Sequence, residues 1–256
     1  MNKKNSYTIN ELMIVTASRK IKDRQNIVVG LGLPQIATML AKSTHAPNLN
    51  IIYEIGVVNP DAPDTGVGIA DPRVWYRADY YTSFIGSLGN ILQRGLVDVG
   101  FLGGLQVDKY GNLNSTLINH SSGFRHFTGS GGAADIASYA KNIFIIMKHE
   151  KRKIVDTVDF ITSVGYLKGL NSREDEGLPR CKSIKIITNL CVFNLDCIKS
   201  SLELETMHRG IKMEDIQNNT GFDISSLKDN IKITQEPNEE ELNLLRNYID
   251  PKRIYL

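Results

Sequence analysis

The residues best suited to do chemistry are one carboxylate and a set of glycine-rich turns. Glu54 ends the run NLNIIYE, in which Leu49, Ile51 and Ile52 are apolar, and Gly56 follows two residues later. An unpaired carboxylate entering a core is costly, so its place at a strand end calls for a use. Three glycine-rich turns each come after or beside an apolar run: Gly30–Gly32, Gly103–Gly104 and Gly129–Gly132. In open α/β sheets the ligand crevice lies beyond the carboxyl ends of the strands. Glu54, Gly30, Gly32, Gly103, Gly104 and the 129–132 turn are therefore candidates for one crevice, with Gln106 close by in sequence. The plainer reading is that each glycine stretch is only a turn.

Two chemistries fit these residues. The first is a dinucleotide site. GLGLPQ, residues 30–35, has the first two glycines of G-x-G-x-x-G, and Glu54 lies near the spacing of a ribose-binding acid. Gln35 stands in place of the third glycine, and Pro34 removes an N–H where a pyrophosphate would be held. The second is covalent catalysis, with Glu54 as nucleophile beside glycines that allow close backbone approach. GSGGAAD, residues 129–135, would then offer the N–H groups of Ser130, Gly131 and Gly132 at the positive end of a helix dipole, an oxyanion site.

The surrounding elements must position these groups. Residues 8–23 predict a helix with Thr8 as cap and Glu11 three residues on. NIVVG (26–30), LPQIATMLAKS (33–43) and LNIIYE (49–54) predict strand, helix and strand. That βαβ unit implies a parallel sheet. Residues 56–78, rich in Gly, Pro and Asp, predict a long loop. A helix is predicted over 80–95 and a strand over 97–104. A hairpin follows over 105–116 around Lys109–Asn112. The 129–132 turn leads into a helix, and IFIIMK (143–148) is a strand. VDFITS (158–163) and SIKIITNLCVFNLD (183–196) read as β, and 238–249 as a closing helix. With no linker and no internal repeat, the expectation is one α/β domain over 1–256: a mixed, largely parallel sheet flanked by helices.

Composition narrows the function. The chain has 256 residues, 41% hydrophobic and 23% charged, with net charge +2, too weak to imply a nucleic-acid partner. No apolar run approaches a membrane span, and MNKKNSYTIN has no signal-peptide core, so the expected location is cytoplasmic. Cys181, Cys191 and Cys197 are odd in number without CxxC spacing and read as reduced thiols. His45, His120 and His126 have no ligand spacing, so no metal is expected. His149 reads as a structural hydrogen-bonder. KHEKRK (148–153) reads as a solvated face or a contact to phosphates or a partner. Asp108, Tyr110 and Asn112 read as shaping the hairpin turn. Trp75, Tyr76, Tyr80 and Tyr81 read as core or substrate wall.

Five segments occur in order: GLGLP (30–34), YEIG (53–56), FLGGLQVDKYGNLNST (101–116), FTGSGGAADIAS (127–138) and MKHEKRK (147–153). Together they resemble family I CoA-transferases, and within them the β subunits of the glutaconate CoA-transferase type. The likeness runs over residues 7 to about 168 and returns weakly at 219–225 and 248–256. It implies the CoA-transferase (NagB/RpiA-like) fold, with no bound cofactor or metal and a coenzyme A thioester as substrate. The partners implied are an α subunit, an acyl-CoA and a free carboxylic acid. The family's catalytic glutamate falls on Glu54. Its oxyanion-hole segment falls on Ser130 to Ala133. Ile55 departs from the Ser or Asn that usually follows the glutamate. Relatives on this scaffold decarboxylate or hydrolyse CoA thioesters, and that is the alternative activity. A non-catalytic sugar-phosphate sensor is a third reading, without a DNA-binding helix pair ahead of the domain to support it.

Overall fold

The computed structural model describes residues 6–196, 201–227 and 231–256. The chain forms two compact units, Met1–Ile91 with Gln235–Leu256, and Leu92–Thr234.

In the first unit, helix α1 (Ile9–Ser18) starts at the expected capping box: Glu11 N–H donates to Thr8 Oγ1 at 3.1 Å, and Thr8 N–H to the Glu11 carboxylate at 2.7 Å. Strand β1 (Asn26–Val29), helix α2 (Leu33–Ser43) and strand β2 (Asn50–Tyr53) form the βαβ unit, with β1 and β2 parallel and Ile27 opposite Ile51. Ile27, Val28, Val29, Ile51, Ile52 and Tyr53 are all buried, each apolar side chain adding roughly 1.5–3 kcal/mol. β3 (Val57–Val58) turns back antiparallel on β2, and β4 (Tyr80–Tyr81) pairs antiparallel with β3 as the terminal strand. Between them lies the short helix α3 (Pro72–Trp75).

A C-terminal helix, Glu239–Leu244, and the π-helix Leu245–Ile249 that continues it are clamped to α1 by ion pairs. Arg246 forks onto the fully buried Glu11 at 2.5 and 2.8 Å, and Arg19 onto Glu241 at 2.6 and 2.8 Å. Burial raises the Glu11 carboxyl, but the Arg246 and Thr8 hydrogen bonds outweigh it and the net shift is downward. The last residues fold onto Asp250, whose carboxylate accepts from the N–H groups of Ile254, Tyr255 and Leu256.

The second unit opens with β5 (Val99–Leu102). The hairpin β6 (Gln106–Asp108) and β7 (Leu113–Asn114) follows, then a second hairpin, β8 (Leu117–His120) and β9 (Gly123–His126). Helix α4 (Ala133–Tyr139) leads to β10 (Asn142–Ile146), β11 (Ile154–Val155) and helix α5 (Ser172–Asp175). β12 (Ser183–Ile187), β13 (Cys191–Asp196), β14 (Ser201–Met207), helix α6 (Met213–Asn218) and β15 (Lys232–Ile233) complete it. β5, β10 and β12 run parallel, β13 and β14 extend the sheet antiparallel, and β15 returns parallel. α4 packs on β5, where Gly100 leaves room: a Cβ there would stand 2.3 Å from Ile136. The architecture is the expected mixed α/β arrangement with parallel central pairings.

Four local expectations differ. VDFITS is irregular, because its only sheet contact among the described residues is a single bridge from Ser163 to Leu113. The 56–78 loop contains β3 and α3. The predicted helix over 80–95 begins as β4 and becomes a π-helix only at Ile85–Leu92. There Gly86 sits so close to Thr82 that a Cβ would meet its Oγ1 at 2.0 Å, and two glycines weaken regular α-helix. The aromatic residues Trp75, Tyr76, Tyr80 and Tyr81 are exposed rather than core. Cys181 and Cys191 are buried and form no disulfide among the described residues, and Cys197 and residues 1–5 lie outside the described residues. No helix is long and apolar enough to cross a membrane among the described residues.

Candidate active site

Glu54 comes immediately after β2, as the first residue of the tight turn into β3. The turn closes with Gly56 N–H donating to Tyr53 C=O at 2.9 Å. Gly56 has φ +97°, and a Cβ on it would stand 2.2 Å from the Thr82 carbonyl oxygen. Only glycine lets the 82–83 backbone approach, and that approach carries a hydrogen bond from Thr82 N–H to Gly56 C=O at 2.7 Å. Ser87 Oγ donates to the Glu54 carbonyl. The backbone around Glu54 is thus held from both sides. Its carboxylate, half-buried, has no hydrogen bond or ion pair among the described residues. A carboxylate carried on a fixed backbone and left uncommitted is available to a ligand.

Behind it, Tyr53 is buried, and burial pushes its phenol up. With the Gln35 amide oriented to satisfy its neighbours, its oxygen accepts from Tyr53 OH and Gly66 N–H, both at 3.2 Å, and its NH₂ donates to Gly66 C=O at 3.3 Å. Gln35 therefore pins the 56–78 loop to α2. That occupies the residue which would be the third glycine of a dinucleotide fingerprint. Gly32 caps α2 with φ +87°, and Tyr255 lies 3.8 Å from where its Cβ would be. Gly30 is exposed, with open space around it. Sequence reasoning gave Tyr255 no role; only the turn at Asp250 brings it to this loop.

The second group of candidates lies on the other unit. The 129–132 turn is anchored to the end of the β6–β7 hairpin: Gly129 N–H donates to Ser115 C=O at 3.1 Å, and Ser115 Oγ to Gly129 C=O at 2.8 Å. Ala133 N–H closes onto Ser130 C=O at 2.9 Å. Gly129 and Gly131 have φ of +83° and +49°, with nothing within 4 Å of either Cβ position. The N–H groups of Ser130, Gly131 and Gly132 have no acceptor among the described residues. Gly132 caps α4. The turn offers N–H donors without acceptors among the described residues, in an uncrowded approach.

α4 is held from behind by Arg173, which is fully buried. Its guanidinium donates to the carbonyls of Ala137 and Ser138 at the end of α4, and to Val164, Gly165 and Pro179, at 2.6–3.2 Å. A cation at a helix C-terminus is favourable. Nothing in the sequence marked Arg173, since a single arginine before an acidic pair looks like surface.

Gly103 is exposed. Gly104 is required by packing, because a Cβ would meet Leu113 at 2.8 Å. Gln106 is buried and its amide is occupied: its oxygen accepts from Asn114 Nδ2 at 2.8 Å and Asp159 N–H at 3.0 Å, and its nitrogen donates to Asp159 at 3.2 Å. Asp108 organises the hairpin turn by accepting from Tyr110 and Asn112 N–H at 3.0 Å each, and burial pushes its carboxyl up. His149 bridges Thr188 and Thr220 at 3.0 and 2.9 Å, and burial lowers it to about 4, a structural hydrogen-bonder. No group of three or more His, Cys, Asp or Glu is placed to hold a metal ion among the described residues.

A family model described as coenzyme A transferase matches residues 10–219. The chain is 36% identical to the B subunit of 3-oxoadipate CoA-transferase from Pseudomonas knackmussii, over 94% of this chain and 93% of that one. It is 32% identical to the B subunit of glutaconate CoA-transferase from Acidaminococcus fermentans, over 98% and 96%. The crystal structure of that glutaconate CoA-transferase superposes with a TM-score of 0.85, covering 98% of this chain and 97% of the other. The decarboxylase AibA/AibB shares the fold at TM-score 0.82 and 23% identity, covering 98% of each chain.

Proposed function

Because the chain belongs to the coenzyme A transferase family, we propose that it is the B-type subunit of a two-subunit acyl-CoA:carboxylate CoA-transferase, with Glu54 as its nucleophile. The observation that carries this is the Glu54 turn, whose backbone is fixed while its carboxylate is uncommitted. The relatives bear the names of glutaconate and 3-oxoadipate transferases, and both acids are dicarboxylates. A short dicarboxylic acid is therefore the proposed acyl class, exchanged with a second free acid.

The Glu54 carboxylate attacks the thioester carbonyl and expels CoA thiolate, leaving a mixed anhydride between Glu54 and the acyl group. The thiolate then attacks the Glu54 carbonyl, releasing the first acid as its carboxylate and leaving a glutamyl-CoA thioester. The acceptor carboxylate reverses both steps. The free N–H groups of Ser130, Gly131 and Gly132 are assigned to the negative oxygen of the tetrahedral intermediates. A carboxylate is a weak nucleophile, so binding of the remote CoA moiety must lower the barrier. The A-type subunit completes the enzyme, as the names of the relatives indicate for those proteins.

The test is to incubate the chain, paired with its A subunit, with an acyl-CoA and no acceptor. CoA should remain covalently on Glu54, read as a mass shift on the peptide carrying it, and kinetics with acceptor should be ping-pong. Carbon dioxide release from a glutaconyl-type thioester without acceptor, and no adduct, would replace transfer by decarboxylation.

A further inference from the structure

The second unit holds a cavity of about 870 Å³ between the turn of the β6–β7 hairpin and residues 157–178. That lies within the roughly 300–1,000 Å³ of pockets that take drug-sized ligands. Its walls include Tyr110 on the hairpin turn and the apolar side chains of Val158, Ile161, Val164, Leu167 and Leu178. Neither Glu54 nor the 129–132 turn lines it. The walls are held in shape. Leu167 has φ +48°, a left-handed backbone that a leucine rarely adopts. Asn112 keeps it there, accepting from Leu167 N–H at 3.0 Å and donating to its C=O at 2.8 Å. Two residues on, Gly169 lies against the Tyr110 ring, where a Cβ would stand 3.0 Å from Cε1. Hydrogen bonds, rather than side chains filling the space, set the distance between the walls.

The buried polar groups on the wall are spent. Asp108 accepts from the N–H groups of Tyr110 and Asn112 and from the Asn112 amide at 2.9 Å, and Asn112 Oδ1 also takes Gly165 N–H at 3.0 Å. What enters the cavity is therefore apolar. The groups left over are charged and exposed. Lys168, Asp175 and Glu176 line the cavity and make no ion pair or side-chain hydrogen bond among the described residues. Neighbouring charges are paired, Lys109 with Asp156 at 2.7 Å and Arg180 with Glu174. Two carboxylates against one ammonium leave the rim negative, which is complementary to a cation.

We propose that this cavity is a second ligand site, for an amphipathic amine with its apolar body in the cavity and its ammonium at Asp175 and Glu176. The site does not depend on the transferase reading. Ser172 and Asp175 belong to α5, the helix that carries Arg173, and Arg173 holds the carbonyls of Ala137 and Ser138 at the end of α4. A bound amine therefore rests on the element that supports α4. Because it binds the folded chain, it raises the melting temperature with concentration.

The test is calorimetric titration of 4-phenylbutylamine into the purified full chain, alone and paired with its A subunit. The alcohol 4-phenylbutan-1-ol serves as a probe of equal size without the charge. The amine should bind once per chain and at least tenfold more tightly than the alcohol. Asp175→Asn together with Glu176→Gln should bring the amine down to the alcohol's affinity. Lys168→Gln should tighten it, and Ile161→Trp, at the rim, should block both probes. All four positions are exposed, so the variants should melt as wild type. If Ile161→Trp fails to fold, the charge variants carry the measurement. No amine binding, equal affinity for amine and alcohol, or amine binding that survives the acid substitutions overturns the proposal. So does weaker amine binding in Lys168→Gln. Binding to the lone chain that pairing abolishes would give the cavity to the partner, and overturns it too. The titrations read no turnover, so their failure leaves the transferase reading standing, and a chain without transfer activity leaves this site standing.

Discussion

At Gly56 a Cβ would stand 2.2 Å from the Thr82 carbonyl oxygen, while at Gly131 it would meet nothing within 4 Å. Both glycines have positive φ and both lie in turns next to candidate catalytic groups. The first turn is crowded, and the carbonyls of Tyr53, Glu54 and Gly56 each accept a hydrogen bond. The second is open, and its N–H groups are unclaimed among the described residues. One turn uses glycine to let the protein's own backbone approach. The other leaves room for something that is not part of this chain. A nucleophile needs a fixed base and a free tip, and an oxyanion site needs free donors and access.

The largest effect that tests this comparison is at the free tip itself. Glu54→Gln keeps the side chain's size and removes its charge, at a group that makes no hydrogen bond or ion pair among the described residues. Stability should be unchanged, while CoA transfer by the two-subunit enzyme falls on the order of 10⁴-fold or more, as when other covalent nucleophiles are removed. Initial rates together with a melting curve check both halves. Near-normal transfer would remove Glu54 from the chemistry.

Next comes the support behind the open turn. Arg173→Met deprives five carbonyls of their donor at once, those of Ala137 and Gly165 buried and those of Ser138, Val164 and Pro179 part-buried. The part-buried carbonyls can turn to water, and the two buried ones left unsatisfied should cost roughly 2–6 kcal/mol, at about 1–3 each. Urea denaturation measures it. A loss under 1 kcal/mol would mean the carbonyls are satisfied without the guanidinium.

At the crowded turn, Gly56→Ala should cost about 2–4 kcal/mol. An L-residue is strained at φ +97°, and the Thr82 backbone must also retreat. Transfer should fall along with stability, because the displaced 82–87 segment carries Ser87 away from the Glu54 carbonyl.

Acid should separate the two units. His149 in the second unit is held neutral by burial, at about 4 against its ordinary 6.5. The unfolded chain binds the proton first as pH falls, so this stability is present above pH 6.5, declines below it and levels off under about pH 4. The whole step is about 3 kcal/mol, of which about 2 is lost by pH 5. His208, which bridges Thr234 and the Thr188 carbonyl, is lowered by burial in the same sense. Glu11 in the first unit is lowered from 4.5, so its contribution holds until more acidic pH. The stability gap between wild type and His149→Gln should shrink by about 2 kcal/mol from pH 7 to pH 5. A constant gap would show that the imidazole is not what titrates.

Local signals made much of this legible. The Thr8–Glu11 box, the Lys109–Asn112 turn and the apolar runs of β1, β2, β10 and β12 are short-range patterns, and the structure follows them. Glu54 stood out because a carboxylate after Ile51-Ile52-Tyr53 contradicts its surroundings. What the pattern could not show depends on contacts distant in sequence. Gln106 reads as a cleft residue until Asp159 is seen beside it. Arg173 looks solvated until five carbonyls converge on it. VDFITS has strand composition but makes a single bridge among the described residues, and the run holding Gly86 and Gly89 winds as a π-helix where its periodicity reads as an ordinary helix. The aromatic residues at 75–81 could not be assigned a side from spacing alone, since the loop that carries them has no period.

The smallest expected effect on stability is the one that best separates the two turns. Gly131→Ala places a methyl group where nothing lies within 4 Å, so its structural cost is only the left-handed backbone at φ +49°, about 1 kcal/mol for an L-residue. The same methyl lies beside the free N–H groups, where a thioester oxygen would have to approach. Turnover should therefore drop far more than 1 kcal/mol of destabilisation accounts for, toward the 10²–10³-fold typical of a lost oxyanion donor, with the melting transition nearly in place. Denaturation and initial rates of the same two-subunit preparation decide it. If Gly131→Ala loses as much stability as Gly56→Ala, the open turn is not open. If it folds and turns over as wild type does, the free amides at 130–132 serve no oxyanion, and the contrast between the two turns is one of packing alone.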